Sequence, residues 1–252
     1  MKVIVLSSGS KGNTTYIECG NTKILIDIGN SCKYVVTKLK EIGIEADEIN
    51  AILITHTHID HIKGLKVFTK KYNPKLYITQ GMLEEINFIT NYQIIKENII
   101  NIDDLEINII KTSHDAPDSV GYIINGDEKS IVYITDTGYI NNKYFDILTN
   151  KEVYIIESNH DVEMLNSGPY PFSLRQRILG DKGHLSNYDS ARYISTFIGE
   201  KTKCVMLAHL SEENNTRELA YTTLLERLEI NNQSIEKILI AKQNEETELV
   251  EV

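Results

Sequence analysis

The sequence has no apolar run near the roughly 18–20 residues of a membrane-spanning helix. Its opening, "MKVIVLSSGSKGN", lacks the long apolar core and small-residue cleavage site of a secretory leader. The three cysteines, Cys19, Cys32 and Cys204, are odd in number and widely spaced, which argues against a disulfide framework. Repeats, low-complexity tracts and Pro/Gly linkers are missing too, so the expected organisation is one domain over residues 1–252. Positive charge is scarce: 26 Lys and Arg against 36 Asp and Glu give a net charge of −10. That argues against salt-driven attraction to nucleic acid over the whole surface. It leaves a nucleic-acid enzyme open, because divalent ions and a few local basic residues receive phosphate on an acidic background. The expectation is a soluble cytoplasmic protein with no membrane association.

What the chain does have is strand and helix patterning in a definite order. "KVIVLS", "TTYIE" and "KILID" read as strands, the last two joined by a turn at "CGNT". Ser31 then caps a helix over "CKYVVTKLKEIG", and "GLKVFTKKY" has helical spacing. "LEINIIKTS", "VGYIING" and "SIVYITD" read as a second set of strands, followed by "VYIIES", "CVMLAH" and "IEKILIA" with helices between them. Strands come first as a meander and then alternate with helices, twice over. This predicts an α/β fold, a four-layer αβ/βα sandwich of two mixed sheets flanked by helices.

The histidines follow that plan. Of seven, three crowd into "LITHTHIDHIKG" as His56, His58 and His61, with Asp60 among them. His114, His160 and His209 each follow a strand, and His184 precedes a helix. Asp27, Asp136 and Glu157 also end strands. An α/β fold gathers strand ends along one edge, where ligands bind. Imidazole nitrogens and a carboxylate at this spacing suit zinc, manganese or iron, with alternate side chains facing two neighbouring ions. A polar loop whose histidines cap backbone groups is the bland alternative; the matching strand-end residues favour a metal site.

At this point the chain resembles the metallo-β-lactamase superfamily, through Asp27, the His56/His58/Asp60/His61 cluster, His114, Asp136 and His209 in order. The blocks "SSGSKGN", "SHDAPDSVGY", "ITDTGY", "ESNHDVEML", "GPYPFSLRQRI", "GHLSN" and "AHLSEENN" resemble the WalJ/YycJ family of bacterial metallo-hydrolases more closely. The resemblance implies two divalent metal ions, zinc or manganese foremost and iron as a third option. It assigns His56, His58 and His114 to one ion, and Asp60, His61 and His209 to the other, with Asp136 between them. Asp27 would orient the ligand loop. Thr57 and Ile59 depart from the residues expected at the variable places of the motif, where an acidic and a small polar residue are usual.

The implied chemistry is phosphodiester hydrolysis by a metal-bridging hydroxide attacking in line. The expected catalytic residues are Asp60, which orients the water, His184 as general acid or phosphate binder, and Glu157 holding His184. Expected substrate contacts are Arg175 and Arg177 in the basic stretch "GPYPFSLRQRILGDKGH", together with His160. For His160 the choice between a metal or phosphate contact and a loop-holding role stays open. Tyr170 and Phe172 are read as core filling rather than as stacking platforms, Ser8 to Asn13 as a connecting turn, and "EETELVEV" as a solvated end. The leading function is an exonuclease on nucleic acid, DNA favoured over RNA. The alternatives are hydrolysis of a small thioester, lactam or phosphodiester, and a non-catalytic metal-bound module.

Overall fold

A computed structural model describes residues 1–252. Its strands are β1 (Lys2–Ser7), β2 (Thr14–Cys19), β3 (Thr22–Ile26), β4 (Ala51–Leu53), β5 (Lys75–Ile78), β6 (Tyr92–Ile94) and β7 (Ile99–Ile102). They continue as β8 (Leu105–Lys111), β9 (Val120–Gly126), β10 (Lys129–Ile134), β11 (Val153–Glu157), β12 (Cys204–Ala208), β13 (Lys237–Ile240) and β14 (Val250–Glu251). The helices are α1 (Cys32–Glu41), α2 (Ile59–Ile62), α3 (Leu65–Tyr72), α4 (Phe145–Leu148), α5 (Val162–Ser167), α6 (Phe172–Leu179), α7 (Asn187–Phe197) and α8 (Arg217–Ile230).

One sheet has the order β14-β1-β2-β3-β4-β5-β6 and the other β13-β12-β11-β10-β9-β8-β7. Each begins with antiparallel pairs and turns parallel once helices start to intervene, at β3–β4 and at β10–β11. Two-residue turns fit the antiparallel part. The Asp127–Glu128 turn between β9 and β10 has φ of 50° and 61°, the left-handed pair that matches strand twist.

The central strands β10, β11 and β12 of the second sheet are apolar on both faces because both faces are covered. Val153 and Ile155 of β11 join the core between the sheets, while Tyr154 and Ile156 face an outer cluster with Ile194, Phe197 and Leu224 of α7 and α8. On the first sheet, Val35 and Leu39 of α1 and Leu65 and Phe68 of α3 cover the outside. The four expected layers are present. Ser31 caps α1, its hydroxyl accepting from Tyr34 N at 3.2 Å.

Two features differ from the sequence reading. β5, β6 and β7 had no clear pattern, being three or four residues long and partly exposed. The acidic end is an edge strand rather than a solvated tail. Val250 is 6% exposed and pairs with Val3, and Thr247 N donates to Val5 O at 2.9 Å. Two residues of alternation are too few to read, and the free edge of β1 supplies the missing partner.

Candidate metal centre

The site lies where the strands of both sheets end. β4 leads into Thr55, His56, Thr57 and His58, and α2 then carries Asp60 and His61, with Ile28 just after β3 bonded to His61. That loop is held by backbone bonds from Asn13 N to Asp60 O (2.8 Å) and Ile28 N to His61 O (2.9 Å). Gly29 is required there: a Cβ would stand 1.7 Å from Asp60 O. From the second sheet come His114 after β8, Asp136 after β10, Glu157 at the end of β11 and His209 after β12. Asp27, Asp136 and His209 all have left-handed φ, of 60°, 54° and 56°. Such backbone costs roughly 1–3 kcal/mol at a non-glycine residue and persists where surrounding contacts over-determine it. Here it turns three side chains out of their strands toward one point.

The ligand atoms converge in overlapping groups, each within 4.8 Å. These are His56 with His58 and His114, Asp60 with His61 and His209, His56 with His61 and Asp136, and Asp136 with Glu157, His184 and His209. Which nitrogen each imidazole presents follows from its partners. His61 donates from Nδ1 to Asp27 at 2.7 Å, His209 from Nδ1 to Glu157 at 2.9 Å, and His114 from Nδ1 to Gly183 O at 3.2 Å. Thr55 donates its hydroxyl to Asp27 at 2.7 Å and stands 3.1 Å from His56 Nδ1, so it accepts from that ring. Four rings thus turn Nε2 toward the centre, the arrangement that outer partners impose on metal-binding histidines. His58 is the exception, with Nδ1 3.2 Å from His114 Nε2.

Buried His56 Nε2 has no hydrogen-bond partner, and Asp136 Oδ2 makes no well-formed one, its nearest polar neighbour being His61 Nε2 at 3.3 Å. A buried polar atom left bare costs free energy, and a cation between these atoms satisfies both. The donor set of imidazoles and carboxylates suits divalent transition ions. The electrostatics agree. Burial by itself pushes the Asp60 and Asp136 carboxyls up, but the surrounding histidines hold both well below the usual carboxylate range. Burial likewise pushes His209 down, and Asp136, Asp60 and Glu157 overcome it, raising the ring to about 10. A field that holds protons on imidazole so firmly is one that a divalent cation can exploit in their place.

Glu157, fully buried, accepts from Thr137 N (3.1 Å) and Leu185 N (3.0 Å) on one oxygen, and from both His184 Nδ1 (2.7 Å) and His209 Nδ1 on the other. Its link to His209 was not foreseen from the sequence. Nor was the role of the loop between β1 and β2, which is more than a connection. Buried Asn13 places Nδ2 3.2 Å from Asp60 Oδ2 and 3.1 Å from His61 Nε2, and Ser8 Oγ accepts from His209 N at 2.7 Å. The signal was present as small polar residues at a strand end, but nothing local said what they would meet.

A cavity of about 290 Å³ opens over the centre. His58, Asp60, Asp136, His184 and His209 line it, together with Arg177 and Lys182. Four placements differ from those expected. Arg175 does not line the cavity; its guanidinium donates to Asn166 O on the same segment. His160 does not reach the cavity either: it is 1% exposed, with neither ring nitrogen hydrogen-bonded. Its backbone pairs with Ser186 as an isolated bridge, and this fixes the ring inward. Phe172 and Tyr170, both read as core filling, are not: Phe172 is 70% exposed, and Tyr170, half-buried, lines the cavity. Arg177 does line the cavity but is tied to Asp115, whose other oxygen lies 3.6 Å from His58 Nε2.

A family model described as "Beta-lactamase superfamily domain" matches residues 22–209. "Exodeoxyribonuclease WalJ" of Streptococcus pneumoniae serotype 2 (strain D39 / NCTC 7466) is 40% identical over 236 residues, covering 90% of this chain and 88% of that protein. "Exodeoxyribonuclease YycJ" of Bacillus anthracis is 37% identical over 232 residues, covering 89% and 88%. Among solved structures, the metallo-β-lactamase fold protein YhfI from Bacillus subtilis superposes with a TM-score of 0.73 at 16% identity, over 98% of this chain and 99% of that one. That last likeness concerns the fold alone.

Proposed function

The chain belongs to the β-lactamase superfamily and, within it, to the WalJ/YycJ family, and from that premise we propose that it is a two-metal exonuclease acting on DNA in the cytoplasm. The observation that carries the reading is the set of four Nδ1-anchored histidines whose Nε2 atoms gather around the Asp136 carboxylate. No helix is long and apolar enough to cross a membrane.

His56, His58 and His114 would hold one ion, and Asp60, His61 and His209 the other, with Asp136 shared; zinc or manganese fits this donor set. Bound there, the ions supply Lewis acidity to a phosphate oxygen and lower the pKa of water. Asp60, on the cavity wall, accepts a hydrogen bond from the attacking water and aims it. His184 has Nδ1 committed to Glu157, which leaves Nε2 to give a proton to the departing alkoxide. Burial lowers the affinity of that ring for a proton, but Glu157 more than compensates and keeps it raised. Arg177 and Lys182 meet the phosphates that flank the cut. Asp27 and Asn13 bind no substrate; they fix His61 and Asp60.

The test is metal-loaded protein on 5′- and 3′-end-labelled DNA and RNA, single- and double-stranded, beside Asp60→Ala. Stepwise shortening of DNA from one end, lost in the variant, is the expected result. Survival of every strand with zinc, manganese and iron each supplied would overturn it and leave a small-substrate hydrolase as the better reading.

A further inference from the structure

From Asn166 to Lys182 the chain contains no buried residue. This segment, carrying α6, lines the cavity that the histidines and carboxylates also line. It supplies every apolar side chain that lines the cavity, namely Tyr170, Leu174 and Ile178. The three are spaced by four, which sets Leu174 and Ile178 on one face of α6 and continues the stripe to Tyr170. An apolar stripe normally seals a core. This one seals none, since each of the three remains only half-buried. Lys182, lining the same cavity, takes part in no ion pair.

Resting on the exonuclease reading, we infer that this strap is a nucleobase wall: the base of one unpaired terminal nucleotide packs against Tyr170, Leu174 and Ile178 while its phosphate faces the histidines and carboxylates. Three observations converge on that occupant. The cavity pairs an apolar wall with a cation-binding wall, as a base joined to a phosphate requires. Lys182 is free to meet the next phosphate along the strand. A volume of about 290 Å³ sits at the small end of ligand sites, which suits one nucleotide and leaves no room for a base pair. A duplex end must therefore open before its terminal nucleotide enters. Stacking on a side chain is tolerant of sequence, because every base has a π-face, so all four bases are accepted.

The experiment compares a single-stranded oligonucleotide having an intact terminus with one whose terminal nucleotides are abasic, each cut by the metal-loaded protein. The wild-type protein is expected to prefer the intact strand in kcat/KM by roughly ten- to a hundredfold, the range that base stacking supplies. In Tyr170→Ala and in the Leu174→Ala/Ile178→Ala double variant that ratio falls toward one, whereas Tyr170→Phe retains it. Melting temperatures fall only slightly, because Tyr170, Leu174 and Ile178 are each partly exposed. Equal cleavage of both strands by the wild-type protein, or an undiminished ratio in the alanine variants, would overturn the nucleobase wall while leaving the exonuclease intact. Failure to cut either strand would instead overturn the exonuclease reading, and this inference with it.

Discussion

The two sheets build their halves of the centre differently. The first crowds its contribution into one loop, His56 to His61, braced by Asp27. The second sends single residues from four separate strand ends, β8, β10, β11 and β12. Yet each half contains the same device, a buried carboxylate at a strand end gripping a histidine by Nδ1: Asp27 on His61 at 2.7 Å and Glu157 on His209 at 2.9 Å. The difference lies in what else the carboxylate holds. Asp27 spends its remaining capacity on Thr55, deep in the fold. Glu157 spends it on His184, which lines the cavity. On the proposed mechanism the first half would hold ions, and the second would hold ions and manage a proton.

That contrast can be tested, starting with its largest consequence. His184→Ala is expected to lower kcat on DNA by about 10²–10⁴-fold, the usual worth of a general acid. Hydrolysis of a p-nitrophenyl phosphodiester, whose leaving group needs no proton, should suffer far less, with metal content unchanged. Equal losses on both substrates would remove the proton-transfer role.

Next come the paired carboxylates. Asp27→Asn and Glu157→Gln should each weaken metal binding by about 10–100-fold, as loss of an outer partner does, measured by calorimetric titration of metal-free protein. Only one should move the pH profile. The His184 ring is held above its ordinary value, burial opposing and Glu157 prevailing, so its acid form persists at low pH and is lost as pH rises through that value. Activity therefore has an alkaline limb. Glu157→Gln removes the charge that raises the pKa and brings the limb to lower pH, while Asp27→Asn leaves it in place. A common shift in both variants would erase the distinction between the halves.

The smallest effect concerns β14, which completes the first sheet far along the chain. Val250→Ala removes apolar contact from a nearly buried position and should cost about 1–2 kcal/mol of stability, read from denaturation midpoints. Metal stoichiometry and kcat should not change. If metal content fell, the edge strand would be supporting the site as well as the sheet.

The layered architecture was legible because the central strands of the second sheet carry apolar residues on both faces and the covering helices carry an apolar stripe. Those patterns depend on nearest neighbours in sequence. The His56–His61 cluster was legible for the same reason, since one tight loop puts its side chains together whatever the rest of the chain does. His114, Asp136, Glu157 and His209 could be picked out as polar residues ending strands. Their convergence could be expected only from the fold they imply.

Other features were fixed by partners far away in the chain. Whether an imidazole shows Nδ1 or Nε2 to the centre depends on Gly183 O for His114, 69 residues on, and on Glu157 for His209, 52 residues back. Asn13 and Ser8 looked like a turn until Asp60 and His209 came to meet them. Arg175 and Lys182 carry the same charge on one basic stretch, and only the packing of α6 decided that Lys182 lines the cavity and Arg175 does not. His160 ends a strand as His209 does, yet its backbone bridge to Ser186 turns it inward. The sequence by itself determined which residues could bind a metal and along which edge they would gather, because burial patterns are local. The tertiary structure decided where each of those side chains points, because a side chain at a strand end is oriented by whatever packs against it, and those contacts span up to 201 residues.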